Sequence, residues 1–114
     1  TSSAASDVYK RQWLSLNDHP LVGEARIKGM MGAIELTPDK SRRSAFPLNE
    51  GQAGIITREI CIKNGLIMRA VGDKMIISPP LIINKSEINE LMDLVYKSLD
   101  ESKSHLEKLG ISFR

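Results

Sequence analysis

The chain has 114 residues, 41% of them hydrophobic, which is enough for one small domain with a modest core. Its 16 basic and 14 acidic residues give a net charge of +2, so composition favours neither nucleic acid nor an anionic membrane as a partner. A single cysteine, Cys61, excludes an internal disulfide framework, and no apolar run approaches the ~20 residues of a membrane span. The N-terminus also lacks an apolar signal segment, and we therefore expect a cytoplasmic protein.

Residues 1–12, TSSAASDVYKRQ, show no helical or strand periodicity and resemble translated adaptor sequence. We expect them to be a non-native or disordered tail, so that the domain proper covers residues 13–114. Trp13 would then lie in the last turn of a helix that begins upstream, and His19-Pro20 would end that helix, because a residue before proline leaves the helical region. His19 is interpreted as a structural residue rather than a catalytic one.

The next segments predict a strand, a loop and a helix. Residues 21–36 alternate polar and apolar side chains and then become more apolar, which predicts one long or bent strand. Residues 37–51 are rich in Pro, Ser, Asp and Gly and predict a loop. Residues 52–64 predict a helix with Gly65 as its stop signal. In the loop, the side chains of Lys40, Arg42 and Arg43 are expected to be solvated. In the helix, Ala53, Ile56 and Ile60 are expected to face the sheet.

Residues 64–83, NGLIMRAVGDKMIISPPLII, are the most informative stretch of the chain. Two apolar-rich runs flank Gly72-Asp73, which predicts a hairpin, and Pro79-Pro80 must end its second strand because proline cannot donate to a ladder. Residues 81–83 continue as a short apolar segment. Arg69 is the only charged residue of the first strand. Because side chains alternate along a strand, it lies on the face opposite Met68 and Ala70.

Ser86 is the predicted N-cap of a last helix that runs to Leu109, with Gly110 just beyond it. Most of its apolar residues form one stripe that would cover the sheet. The order of elements predicts an α+β fold, with a small antiparallel sheet and helices on one face.

The run LIMRAVGDKMIISPPLII, between a helix that ends in Asn-Gly and a serine-capped helix, closely resembles the C-terminal small domain of class III aminotransferases. These are fold type I enzymes that depend on pyridoxal 5'-phosphate (PLP), and the resemblance covers residues 19–110. It is nearest to the ω-amino acid:pyruvate transaminases.

The resemblance implies that the parent protein transfers an amino group from an amine or ω-amino acid to a keto acid such as pyruvate. It implies that Arg69 binds the substrate carboxylate, and that the full-length protein is a homodimer. The lysine that forms the Schiff base with PLP, and the large domain that carries it, would lie upstream. We therefore assign no catalytic, cofactor-binding or metal-binding residue to this chain, which alone is expected to be inactive.

Two other functions are compatible with parts of the sequence. One is a stand-alone small-molecule-binding α+β module without catalysis, in which Arg69 would bind a carboxylate ligand. The other is a nucleic-acid-binding domain built on Lys28, Lys40, Arg42 and Arg43, against which the near-neutral charge and the low aromatic content argue.

Overall fold

The structure is a computed structural model that describes residues 3–79 and 83–114. Pro80 and the apolar residues 81–82, which were expected to end and follow the second hairpin strand, lie outside the described residues. The elements in chain order are helix α1 (Ser3–Leu14), a 3₁₀ turn (Ser15–Asp18), strands β1 (Val22–Lys28) and β2 (Met31–Leu36), helix α2 (Gln52–Lys63), strands β3 (Arg69–Val71) and β4 (Lys74–Ile77), and helix α3 (Lys85–Lys108).

The four strands form one antiparallel sheet in the order β1-β2-β4-β3. Because side chains alternate along a strand, each row of register partners presents its side chains to the same face. The row of Ala25, Ile34 and Met75 is buried, whereas the strand residues on the opposite face are exposed or half-buried. The predicted α+β fold with an antiparallel sheet is confirmed.

Helix α1 differs from the sequence prediction, because Ser3–Leu14 is helical over most of the segment that was expected to be a tail. Tyr9 and Trp13, four residues apart on one helical face, are both fully buried, with ring centroids 6.0 Å apart. Trp13 lies over Gly32 so closely that a Cβ there would be 2.5 Å from the indole ring. The expectation of no regular structure is therefore wrong for residues 3–12. Their non-native origin and the domain bounds of 13–114 stay predictions.

Residues 21–36 form a hairpin rather than one bent strand. Lys28 and Met31 are register partners, so the chain reverses at Gly29 and Met30, and Gly29 has φ +60°. A two-residue turn needs positive φ at its first central position, which glycine adopts without strain. The sequence prediction of one long or bent strand missed the reversal.

Helices α2 and α3 lie close to their predicted positions. Gly65, at φ +83°, follows α2, and Gly110, at φ +97°, follows α3, as expected of residues just past a helix end. The buried residues of α2 include Ala53 and Cys61, whereas Ile56 and Ile60 are only half-buried. The N-cap of α3 is Asn84 rather than the predicted Ser86, since Asn84 and Glu87 form a capping box.

Candidate functional site

We call the uncovered side of the sheet the open face and define it by its strand residues: Glu24, Arg26, Lys28, Met31, Ala33, Glu35, Arg69, Val71, Lys74 and Ile76. All of them are exposed or half-buried. The face carries both charged and apolar side chains, and its cations outnumber its carboxylates. The open face therefore offers both positive charge and apolar surface to a partner group.

Arg69 lies on β3, an edge strand of this sheet, with Ile76 as its register partner. Its side chain is exposed, and so are those of its same-face neighbours Ile67 (84%) and Val71 (49%). Met68 is buried on the other face, so the predicted alternation of this strand is confirmed. Within residues 3–79 and 83–114, the Arg69 guanidinium makes no hydrogen bond and no ion pair. Its donors are free to bind another molecule or another part of the protein.

Arg43 reaches the open face from the loop of residues 37–51. Its Nη2 atom donates to Glu24 Oε1 and to Glu35 Oε2, each at 3.0 Å. Glu35, and then Glu24, raise the pKa of the Arg43 guanidinium through charge and hydrogen bonding. Arg43 is exposed, as expected of a solvated residue, but sequence analysis did not predict its two ion pairs.

A groove of about 520 Å³ lies at one end of the open face, between this loop and the β3–β4 turn. Its walls include Arg43 and Ser44 on the loop side and Val71 and Lys74 on the strand side. The turn is fixed to α2, because the Gly54 N–H donates to Asp73 Oδ1 at 3.0 Å. Arg69, two residues before Val71 on the same face, is thus close to this groove.

Comparison with known proteins agrees with the sequence resemblance. No family model matches the chain. It is 53% identical over 93 residues to a putrescine–pyruvate aminotransferase of Pseudomonas aeruginosa, a match that covers 82% of this chain and 20% of the relative. It is 33% identical over 95 residues to the mitochondrial gamma aminobutyrate transaminase 1 of Solanum lycopersicum, covering 83% of this chain and 18% of that one. The chain thus spans about a fifth of the length of these relatives.

The fold gives the same result. The omega transaminase of Pseudomonas jessenii in complex with PMP matches with a TM-score of 0.80 and 28% identity, over 90% of this chain and 22% of that one. The chain fits a fragment of a class III aminotransferase. It corresponds to a segment of such an enzyme, and on the open face of this aminotransferase segment Arg69 is an exposed guanidinium without a partner among the described residues.

His19 of this aminotransferase segment has the structural role that was expected. Its ring is buried, its Nδ1 atom accepts from the Leu21 N–H at 3.1 Å, and its Nε2 atom lies 2.7 Å from Asp100 Oδ1. Because Nδ1 accepts, Nε2 carries the proton and donates to Asp100. His19 thereby ties the start of β1 to α3. The backbone carbonyl of His19 also accepts from Lys40 Nζ at 3.0 Å.

The described part of the segment does not by itself provide a cofactor site. None of its lysines is buried, and no group of His, Cys, Asp or Glu in it could hold a metal ion. PLP needs a lysine, an acidic partner and a phosphate cradle, and we assign none of these to the described residues. None of the described helices has the length and apolar character of a membrane span.

Proposed function

We propose that the full-length protein containing this segment is a PLP-dependent transaminase that transfers an amino group from an amine or ω-amino acid to a keto acid such as pyruvate. Within it, Arg69 binds the carboxylate of the keto acid or amino acid. The names of the relatives support the reaction class, since one is a putrescine–pyruvate aminotransferase and another a gamma aminobutyrate transaminase.

One observation carries the role of Arg69: it is an exposed cation on a strand with no internal partner in the described part of the chain. A planar guanidinium can donate two parallel hydrogen bonds to a carboxylate, and its position on a strand reduces the ordering cost of each contact. A charge-assisted hydrogen bond contributes about 1.5–3 kcal/mol net. The half-buried Ile76 beside it supplies apolar surface that would lower the local dielectric once the rest of the pocket closes over it.

PLP would be held by residues outside this segment, and when bound it supplies the electron sink for the exchange of the amino group. The Pseudomonas jessenii relative carries PMP, the aminated form of this cofactor, which supports the choice. The contribution of the present segment is to bind and orient the substrate carboxylate. The segment alone is accordingly proposed to be inactive, and the full-length enzyme to be a cytoplasmic homodimer, as in its family.

The test is Arg69→Ala in the full-length enzyme, with turnover of pyruvate and of an ω-amino acid compared with the half-reaction of a simple amine. Loss of the carboxylate contact should lower kcat/KM for the two carboxylate substrates about ten- to a hundredfold, by the energy scale of one or two charge-assisted bonds. The amine half-reaction should fall much less.

Arg58→Ala is the matched control, because Arg58 is an exposed arginine on α2 with no ion pair in the described chain. It should leave both substrate classes unchanged. An equal loss for amines and carboxylates in single-turnover measurements of Arg69→Ala would show that Arg69 is not a carboxylate anchor.

A further inference from the structure

Two unfavourable features meet at Arg43. It is the only non-glycine residue with positive φ (+50°) in the described chain, a conformation that side chains disfavour. The two carboxylates that it binds, Glu24 and Glu35, are direct register partners on β1 and β2, and like charges directly opposite each other repel. A strained backbone that places a guanidinium between two repelling carboxylates indicates a specific role for that guanidinium.

These carboxylates lie on the same face as Arg69 and near it. Arg69 shares a row with Ile76 and Ala33, and Glu35 follows Ala33 by two residues on β2. From ordinary strand spacings, the Cα atoms of Arg69 and Glu35 are about 12 Å apart. Extended arginine and glutamate side chains can meet over that distance. A free Glu35 would therefore compete with the substrate carboxylate for Arg69.

We propose that Arg43 is a positioning residue for the carboxylate anchor: it binds Glu24 and Glu35 and thereby keeps the Arg69 guanidinium free for substrate. The inference rests on the proposed role of Arg69 and adds an explanation of how Arg69 stays unpaired. Arg43 does not touch the reacting atoms, and it acts on substrate binding only through the two glutamates.

Of the cations that pair with Glu24 or Glu35 in the described chain, Arg43 alone binds both. Arg26 approaches Glu24 only, with Nε 3.6 Å from Oε1, which is longer than a hydrogen bond. Lys74 is the register partner of Glu35 but makes no ion pair with any described residue. When Arg43 is removed, Glu35 loses its ion-pair partner in the described chain, and the unpaired cations nearest to it on the open face are Lys74, directly opposite, and Arg69.

The experiment uses the full-length enzyme with Arg43→Ala, and pyruvate as the carboxylate probe. The KM for pyruvate should rise about three- to fivefold, the scale of an exposed ion pair, while the half-reaction of a simple amine stays unchanged. Arg43→Gly suits the positive φ and should give the same rise, which separates loss of the charge from any effect on folding. Arg42→Ala, at the neighbouring exposed arginine, is the matched control and should have no effect.

The decisive variant is the triple substitution Arg43→Ala, Glu24→Gln, Glu35→Gln. If the glutamates compete for Arg69, removing their charge restores the KM for pyruvate to the wild-type value. A triple variant as impaired as Arg43→Ala would show that Arg43 only holds the loop, and the proposal would be wrong. An unchanged KM in Arg43→Gly would also overturn it. Arg69→Ala is measured in parallel: if that variant binds pyruvate normally, the anchor itself is wrong, and this inference with it.

Discussion

Gly54 is the residue at which a single added carbon should have the largest effect. A Cβ at this position would lie 2.0 Å from the carbonyl oxygen of Gly72, in the β3–β4 turn. In an ordinary helix, Gly→Ala stabilises by about 1 kcal/mol through helix propensity. Here the clash is with backbone, which cannot rotate away, so overpacking decides the sign.

We expect Gly54→Ala to lower the free energy of unfolding by about 2 kcal/mol or more. Urea unfolding of the chain would measure it, with Gln52→Ala in the first turn of α2 as a control that should change stability by less than about 0.5 kcal/mol. An increase in stability would mean that α2 does not approach the turn as closely as described. Because β3 carries Arg69, the same variant in the full-length enzyme should also weaken pyruvate binding.

Arg69 and Arg43 show which parts of the candidate site the sequence could predict. The face of Arg69 follows from the period of two within one strand, which is local information. Arg43 instead binds Glu35 and Glu24, 8 and 19 residues away, and only the register of β1 on β2 makes these two glutamates neighbours. Since that reversal was missed, the charge cluster could not be predicted.

At the scale of elements, the start of α3 has two candidate N-caps, Asn84 and Ser86, whose substitutions should differ in their effect on stability. Asn84 Oδ1 accepts from the Glu87 N–H at 2.8 Å, and Glu87 Oε1 accepts from the Asn84 N–H at 3.1 Å. Asn84→Ala removes the side-chain half of this box and should cost about 1 kcal/mol of stability, measured by thermal unfolding. Ser86→Ala, at the residue that the sequence pattern favoured, should be nearly neutral. A larger loss at Ser86 than at Asn84 would place the cap where the sequence prediction had it.

The elements that were predicted correctly are those with local stop signals. Gly65 and Gly110 end α2 and α3, and Gly72 reverses the chain between β3 and β4, as their positive φ requires. Helix α1 has no such signal, and its buried residues Ala5, Tyr9 and Trp13 gain their packing from β2 and from elements far along the chain. Burial of that kind depends on tertiary contacts, so propensity and periodicity within residues 1–12 could not indicate it.

At the scale of the whole molecule, α1 is joined to the far end of the chain. Gln12 Nε2 donates to Asn89 Oδ1 at 2.8 Å, and the hydroxyls of Ser15 and Tyr96 lie 2.7 Å apart. Both links connect the first residues to α3 across more than half of the sequence. Residues 3–14 are therefore part of the folding unit, and a substitution buried beneath α1 should affect the stability of the whole chain.

Tyr9 provides that substitution, because its hydroxyl is buried without a hydrogen-bond partner in the described chain. Tyr9→Phe removes this unpaired group and should raise the free energy of unfolding at neutral pH by about 1 kcal/mol. Tyr96→Phe is the matched control of opposite sign, since it breaks the contact with Ser15 and should destabilise by a similar amount. Thermal unfolding at pH 7 would measure both.

Thermal unfolding repeated at alkaline pH, the alkaline limb of the stability curve, tests the burial of α1 independently. Burial raises the pKa of the Tyr9 hydroxyl above its ordinary value of 10.0. Above that ordinary value the unfolded chain has lost the proton that the folded chain still holds, so the unfolded state binds fewer protons and stability falls as pH rises. The contribution is fully present below the unfolded pKa and is lost progressively as pH rises toward the folded one. Tyr9→Phe should flatten this loss. If Tyr9→Phe changes neither the neutral stability nor the alkaline limb, α1 is not packed, and residues 1–12 are the tail that their composition predicts.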